Sequence, residues 1–568
     1  MIEIFFACLI TSITFIAFGY VFNFIFYRKN ISNIDLQENT LFGLILLSFF
    51  SLIVNFFIPL NKVLGSFIII TSIIFYLYTT VVLKHKNLFY LLSLSIISFF
   101  LITLSNINRP DAGLYHLPYV GLINSEKIII GSANINFRFG HISIIQYLSG
   151  IFNNYFFKIE IITLPLAFIF SVYIIFLTKK YIKISNSNNK FLKIYIFFLI
   201  IYSLYAFSNY TNYGNDMPAH IFFFTLSIYL IEEKNFFFIK KETFFKILLI
   251  SIFLFSIKSF MILTLLIPLT IFILNKNKSK IIQNNNTILI LIFIFIFAWV
   301  IKNILSSGCL IYPISATCFK SFLYFDLEKT VQEYKVAEAW SKGWPDSVGY
   351  SSYEFYSSNF NWLSTWANNH LIKIFFKLLP YFIFLILIIL IFFYFSQKKI
   401  EKKNVNVYKR TNIKILFFFT AFFTLVWFVK FPVYRFGESF IIVLVTLIAA
   451  YISHNNITPR FPDKLLKKFF LYILVFTFSI FFLKNYIRIH KLYDIFYINY
   501  PWPRIYALNN KEENKLKEYK DIRNNNNELL YFYSGGDECM YVNDPCSNYL
   551  QNNLFLKKVF NYKVFYKN

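Results

Sequence analysis

The sequence predicts an all-α integral membrane protein, a polytopic bundle of about 14 transmembrane helices with external loops and a small C-terminal extracytoplasmic domain. Three observations predict it. The 568-residue chain is 57% hydrophobic with a mean hydropathy of +0.57, which excludes an ordinary soluble domain. Phe, Ile, Leu and Tyr fill window after window of about 20 residues, the length a helix needs to cross a bilayer. Lys and Arg crowd into alternate loops, as the positive-inside rule requires.

The windows fall near 2–26, 41–59, 63–83, 88–106, 160–178, 192–210, 218–232, 244–257, 259–275, 286–305, 371–395, 412–430, 438–453 and 467–484. The pair flanking Lys258 is short and reads as two helices or one broken element. One set of loops reads YRKN, KHKN, KKYIKISNSNNK, KNKSK, QKKIEKKNVNVYKR and DKLLKK. The alternate set reads RPDAG, TNYGNDMPAH and FPVYRFGES, plus a long stretch at 306–370. Strict alternation puts the basic set in the cytoplasm, and the loops 107–159 and 306–370 outside with the N-terminus. Residues 1–484 then form the membrane domain and 485–568 an extracytoplasmic tail. The first window, MIEIFFACLI, lacks a basic flank and a cleavage site, so it reads as a retained helix.

A net charge of +27 is a nucleic-acid signal in a soluble chain. Here the Lys residues sit in short loops between apolar runs, so the partner they imply is the lipid bilayer and not nucleic acid. Of the five Cys, Cys8 lies in the first window. Cys309 and Cys318 share a loop, and Cys539 and Cys546 share the tail. In an oxidising space two local disulfides follow, and the spacings are not those of a zinc site. The tail carries a strand-like run, ELLYFYS at 528–534, before the loop GGDECMYVNDPC. It is too short for a rich core and is expected to pack on the membrane domain.

Candidate chemistry sits where apolar windows meet the external loops. The first loop holds Arg109, Asp111, His116, Glu126, Arg138 and His141. A carboxylate beside His and Arg can take a proton from an acceptor hydroxyl, while Arg offers fixed charge to a phosphate leaving group. The alternative is that Asp111 caps the next helix. Leu117 to Ile130 reads as an amphipathic helix on the surface, with Pro118 in its first turn. Asp216 and His220, at i and i+4, form either an acid/base or metal dyad, or a helix start with Pro218. Lys258 is a charge between apolar runs that either meets a substrate phosphate or snorkels. Arg435 and Glu438, at i and i+3, either pair with each other or leave Arg435 to clamp a diphosphate. Trp340, Trp344, Trp362 and Trp366 either stack on sugar faces or anchor at the interface.

In order along the chain, DAGLYHLPYVGLI, GSANINFRFGH, GNDMPAH, SIKS, SGCLIYPISATCF, PVYRFGES and CMYVNDPC resemble the large multi-pass glycosyltransferases of the GT-C fold. The likeness is strongest to a bacterial branch of multi-pass membrane proteins and spans about 105 to 550. It implies a GT-C-like bundle in a bacterial inner (cytoplasmic) membrane, with loops and tail on the periplasmic or external side. The implied donor is a polyprenyl-phosphate sugar, and the acceptor is a cell-envelope glycan, lipid or protein. A first-loop carboxylate in such enzymes acts as base or binds acceptor or metal. Asp111 is then the base, with Asp216 as a second acid. His116, Arg109, Arg138, His220 and Glu438 position substrate, and Lys258 and Arg435 meet the donor phosphate. A divalent metal is a possible cofactor under this resemblance. Two departures stand out. About four helices precede the acidic motif instead of one, and its usual acidic pair is reduced to Asp111. A flippase of lipid-linked saccharide, or an O-antigen polymerase or ligase, is the alternative. A flippase predicts charges at mid-membrane and internal repeats, of which the sequence offers few.

Overall fold

The computed structural model describes residues 1–27, 35–81, 87–105, 110–184, 190–207, 213–233, 235–282, 286–347, 352–395, 407–456, 463–493, 500–506, 508–509, 512–516 and 518–567. Each apolar window falls on helix. In order these are α1 (Ile2–Tyr27), α2 (Leu36–Asn55), α3 (Lys62–Val81) and α4 (Leu88–Ile102), then α5 (Leu117–Ser125) and α6 (Ile144–Gly150) in the first loop. There follow α7 (Leu164–Ile184), α8 (Lys190–Ala206), α9 (Asp216–Glu232), α10 (Lys241–Ile257), α11 (Leu266–Leu274), α12 (Lys278–Ile282) and α13 (Asn286–Ser307). The second long loop carries α14 (Leu327–Ser341), α15 (Tyr353–Ser357) and α16 (Leu363–Trp366). The chain closes with α17 (Ile372–Phe395), α18 (Val407–Lys430), α19 (Tyr434–Asn456) and α20 (Asp463–Lys491).

Among the described residues, nine helices are long and apolar enough to cross a membrane, and the chain is a membrane-embedded, mainly helical protein. The other five windows form shorter helices: α4 has 15 residues, α8, α9 and α10 have 17 each, and α11 has 9. α8 and α9 are buried on nearly every face, so neighbouring helices shield them from lipid. α1 and α2 cross backbone to backbone, where a Cβ on Gly43 would lie 2.4 Å from the Gly19 nitrogen. Hydroxyl pairs join helices inside the bundle: Ser12 with Ser95 at 2.9 Å, Ser98 with Ser171 at 2.7 Å, and Tyr195 with Ser227 at 2.6 Å.

The two ends of the bundle differ. At one end Lys246 reaches Glu38 at 2.5 Å and Lys180 reaches Glu232 at 2.5 Å, tying α10 to α2 and α7 to α9. The other end carries the first loop, the 308–371 segment and the tail. There Arg488 of α20 donates to the carbonyls of Phe100 (2.6 Å) and Thr103 (2.8 Å), satisfying the open end of α4.

The tail is built from short strands. β1 (Leu508–Asn509) pairs with β2 (Glu512–Leu516), and β3 (Lys520–Arg523) pairs antiparallel with β4 (Leu529–Tyr533), the expected strand. β4 also pairs in parallel with β5 (Cys546–Ser547), and β6 (Leu554–Val559) forms a hairpin with β7 (Tyr562–Lys567). The tail packs on the first loop, as its size requires: Phe565 N–H donates to Ile130 O at 2.9 Å, and Ile130 N–H to Lys563 O at 3.0 Å. Both expected disulfides are present, Cys309–Cys318 and Cys539–Cys546.

Two local expectations need correction. The Leu117–Ile130 segment is no surface amphipathic helix, because α5 ends at Ser125 and buries all but its last residue. Trp362 and Trp366 face neither sugar nor lipid headgroups. They are buried, 1% and 6% exposed, edge-on to each other and against Phe428.

Candidate functional site

Four charged side chains from four elements converge at the loop end of the bundle. Asp111 precedes a π-helical turn, Ala112–His116, that leads into α5. Its carboxylate makes no capping bond and turns instead to the guanidinium of Arg435, at the start of α19. Asp216 opens α9, and its carboxylate lies 2.5 Å from the Lys258 amine. Lys258 is the extended residue at the break after α10, so the chain is interrupted there, and its amine also approaches the carbonyl of Arg435 at 3.4 Å. The same amine sits 3.9 Å over the Phe436 ring. The break frees backbone and places a cation where three helix ends meet.

His116 is 2% exposed and lies among the charges of Asp111, Asp216, Arg435 and Lys258. Burial pushes its imidazole down to about 4, against the pull of both carboxylates, so it is neutral at neutral pH. The Gln146 amide, as oriented, donates to its Nδ1 at 3.0 Å, which leaves the proton on Nε2. Burial works against ionisation of Asp111, yet Arg435 outweighs it and holds the carboxyl below the usual range. Arg138 has its guanidinium 5.2 Å from the rings of Tyr115 and Phe137, and its buried Nη1 has no hydrogen-bond partner among the described residues. It is the spare cation of the site.

One turn further along α9, His220 departs from the expected dyad. Its Nε2 lies 3.8 Å from Glu438, while Asp216 turns to Lys258. Nor does Glu438 pair with Arg435. It accepts a hydrogen bond from Tyr202 at 2.7 Å and one from Lys377 at 3.4 Å, and belongs to a second polar group beneath the first. Arg109 lies outside the described residues. A divalent metal does not fit: no three of His, Cys, Asp and Glu gather as ligands among the described residues, and both carboxylates already face cations.

The tail closes over this site. Met540 N–H donates to Gly113 O at 2.8 Å. A Cβ on Gly113 would meet Glu538 Oε2 at 2.2 Å, and one on Gly121 would meet Val542 O at 1.9 Å. Gly113 and Gly121 thus form a track for the disulfide-closed segment 539–546. Glu538 is the residue that sequence reasoning missed. Burial and the neighbouring Asp111 charge raise its carboxyl above the usual range, opposite to the shift of Asp111. The signal available was the pair of glycines eight residues apart on one helix face.

The site can therefore offer two carboxylates paired with cations, a third carboxyl shifted upward, a neutral imidazole and three cations. No curated protein and no solved structure matches the chain. A family model does match it, over residues 1–442, which hold every one of these groups except Glu538: the chain belongs to the family described as Domain of unknown function (DUF8201).

Proposed function

We propose that this protein is a membrane glycosyltransferase of the GT-C type. It moves a sugar from a polyprenyl-phosphate donor to a cell-envelope acceptor on the outer face of a bacterial cytoplasmic membrane. The observation that carries this reading is the paired arrangement Asp111–Arg435 and Asp216–Lys258, with Arg138 beside it, where apolar helices end. A phosphate leaving group needs cations there, and proton abstraction needs a carboxylate. In this reading all 14 windows lie in the membrane, and the loops and tail are external. Two disulfides at the same end support an oxidising compartment for it.

The resting ion pairs set the order of events. A donor phosphate competes with Asp111 for Arg435 through charge-assisted hydrogen bonds. Arg138 joins it as the cation with an open donor. Once its partner is shared, Asp111 becomes a better base. The acceptor oxygen bonds to the anomeric carbon as the bond from that carbon to the phosphate oxygen breaks. The electron pair leaves with the phosphate, and the acceptor proton passes to Asp111.

The test is turnover of radiolabelled polyprenyl-phosphate sugars by full-length protein in lipid, comparing wild type with Asp111→Asn. Turnover that vanishes in the variant, with fold and donor binding kept, supports the reading. Equal turnover moves the base to Asp216. Saturable donor binding without turnover points to a flippase.

A further inference from the structure

The loop end also holds a cavity of about 610 Å³, lined by α3, the end of α5, the start of the Glu160 segment and the tail. This is the size of a small-ligand site. Two buried acceptors line it. Glu160 is 1% exposed, and among the described residues its carboxyl pairs with no cation and takes only its own backbone N–H. Asn153 is 5% exposed, and its Oδ1 has no hydrogen-bond partner among the described residues. Buried acceptors left open are costly, and a ligand with hydroxyl donors satisfies them.

The walls narrow the class of ligand. Tyr500, Tyr506 and Tyr541 line the cavity, with the last two edge to face at 6.1 Å. Such rings give flat apolar surface with a polar edge. Lys62 and Lys158 add donors at the rim, and Lys158 lies 4.9 Å over the Tyr500 ring. The Glu160 carboxyl on the floor offers a phosphate headgroup no positive charge. Hydroxyl donors, hydroxyl acceptors and apolar C–H faces together are the chemistry of a neutral saccharide.

We propose that this cavity, with Glu160 and Asn153 on its floor and tyrosines on its walls, binds a neutral saccharide. It is linked to the site described above through both ends of α5. Asn124 and Ser125 line the cavity at the end of α5, and the π-helical turn that leads into its start holds Gly113 and follows Asp111. The separation is about 18 Å along that turn and helix. The tail repeats the link, because Tyr541 lines the cavity and Met540 bonds to Gly113. Resting on the transferase reading, the bound saccharide is a distal part of the acceptor, held while its growing end reaches Asp111.

The experiment is direct binding of hexose and N-acetylhexosamine tetrasaccharides to full-length protein in lipid, followed by saturation-transfer NMR and calorimetry without donor. Wild type is expected to bind at least one, Glu160→Gln and Tyr500→Ala to weaken it about tenfold each, and Asp111→Asn to bind as wild type. Tyr500→Ala, at a half-exposed position, and Lys158→Gln, at an exposed one, keep the test open if Glu160→Gln does not fold. No binding of any tetrasaccharide, binding unchanged in the cavity variants, or binding only of an ethanolamine or anionic lipid headgroup overturns the proposal. Saccharide binding without sugar transfer leaves the cavity standing and removes the transferase reading.

Discussion

Arg435 and Asp111 stand 324 residues apart in the chain and form one ion pair, α19 reaching the turn that opens the first loop. The pair joins the late helices to the early loop at the point where the chemistry is proposed. It also neutralises both groups until something competes for one of them. Arg435→Gln would leave Asp111, three-quarters buried, without its partner. The expected cost is about 2 kcal/mol, below that of a fully buried pair because water still reaches both side chains. In a double-mutant cycle with Asp111→Asn, thermal unfolding in nanodiscs should show strong coupling. Additive effects would mean the two side chains do not act as a pair.

His116 gives stability a pH dependence with a definite sign. Its folded value, about 4, lies below the ordinary 6.5. As pH falls below 6.5 the unfolded chain takes up a proton that the folded chain refuses until about 4. Stability is therefore full above 6.5 and lost across that window, by about 3 kcal/mol in total. Asp111, also depressed, adds a loss at more acid pH as it protonates against Arg435. Glu538, whose value is raised, works in the opposite sense and favours the folded state at low pH. Urea or thermal unfolding across pH 4 to 8 should show the slope in wild type and a flatter one in His116→Gln. Equal slopes would show that His116 is not the titrating group.

The glycine track separates docking of the tail from chemistry beneath it. A methyl at Gly121 would strike the backbone oxygen of Val542, which cannot turn aside. A methyl at Gly113 would strike the flexible ends of Glu538 and Met540, which can, and would lie 2.8 Å from the Glu538 Cβ, which must shift with them. Gly121→Ala should loosen the tail by about 1–3 kcal/mol and open it to limited proteolysis. Gly113→Ala should leave the tail protected but lower sugar transfer by moving Glu538, and Glu538→Gln should mimic it. Proteolysis equal to wild type in Gly121→Ala would remove the track from the docking surface.

Much of the fold was legible because apolar length is a one-dimensional signal. Every window fell on helix, and α10 and α11 stay short of a full span where the break at Lys258 divides them. The charged residues of the site were legible for a related reason: Asp111, Asp216, Lys258 and Arg435 each interrupt or border an apolar run. Their partners were not. Local spacing paired Asp216 with His220 and Arg435 with Glu438, but the bundle brings in Lys258 and Asp111 from 42 and 324 residues away. Trp362 and Trp366 looked interfacial because nothing in their neighbourhood signals that Phe428 would cover them. Glu538 sits in a polar tail, where one more carboxylate has no apolar contrast to mark it.

The Cys539–Cys546 bridge closes the segment that carries Met540 to Gly113 and Tyr541 to Asn124. A short bridged loop loses little freedom on docking, because the covalent link has already removed it from the unfolded chain. Cys539→Ser with Cys546→Ser should cost the tail about 2 kcal/mol and leave the bundle helical, since no bundle helix depends on the bridge. Circular dichroism should be unchanged while protease sensitivity rises between 500 and 568. Transfer should fall with it, because Glu538 immediately precedes the bridge. The same double substitution at Cys309 and Cys318 serves as the control. That loop touches the first loop through Tyr312, whose ring lies parallel to His141 at 6.1 Å, and not through the tail segment over Asp111. A matching rise in tail proteolysis from that control would show that the bridges act on the whole loop end and not on the tail segment alone.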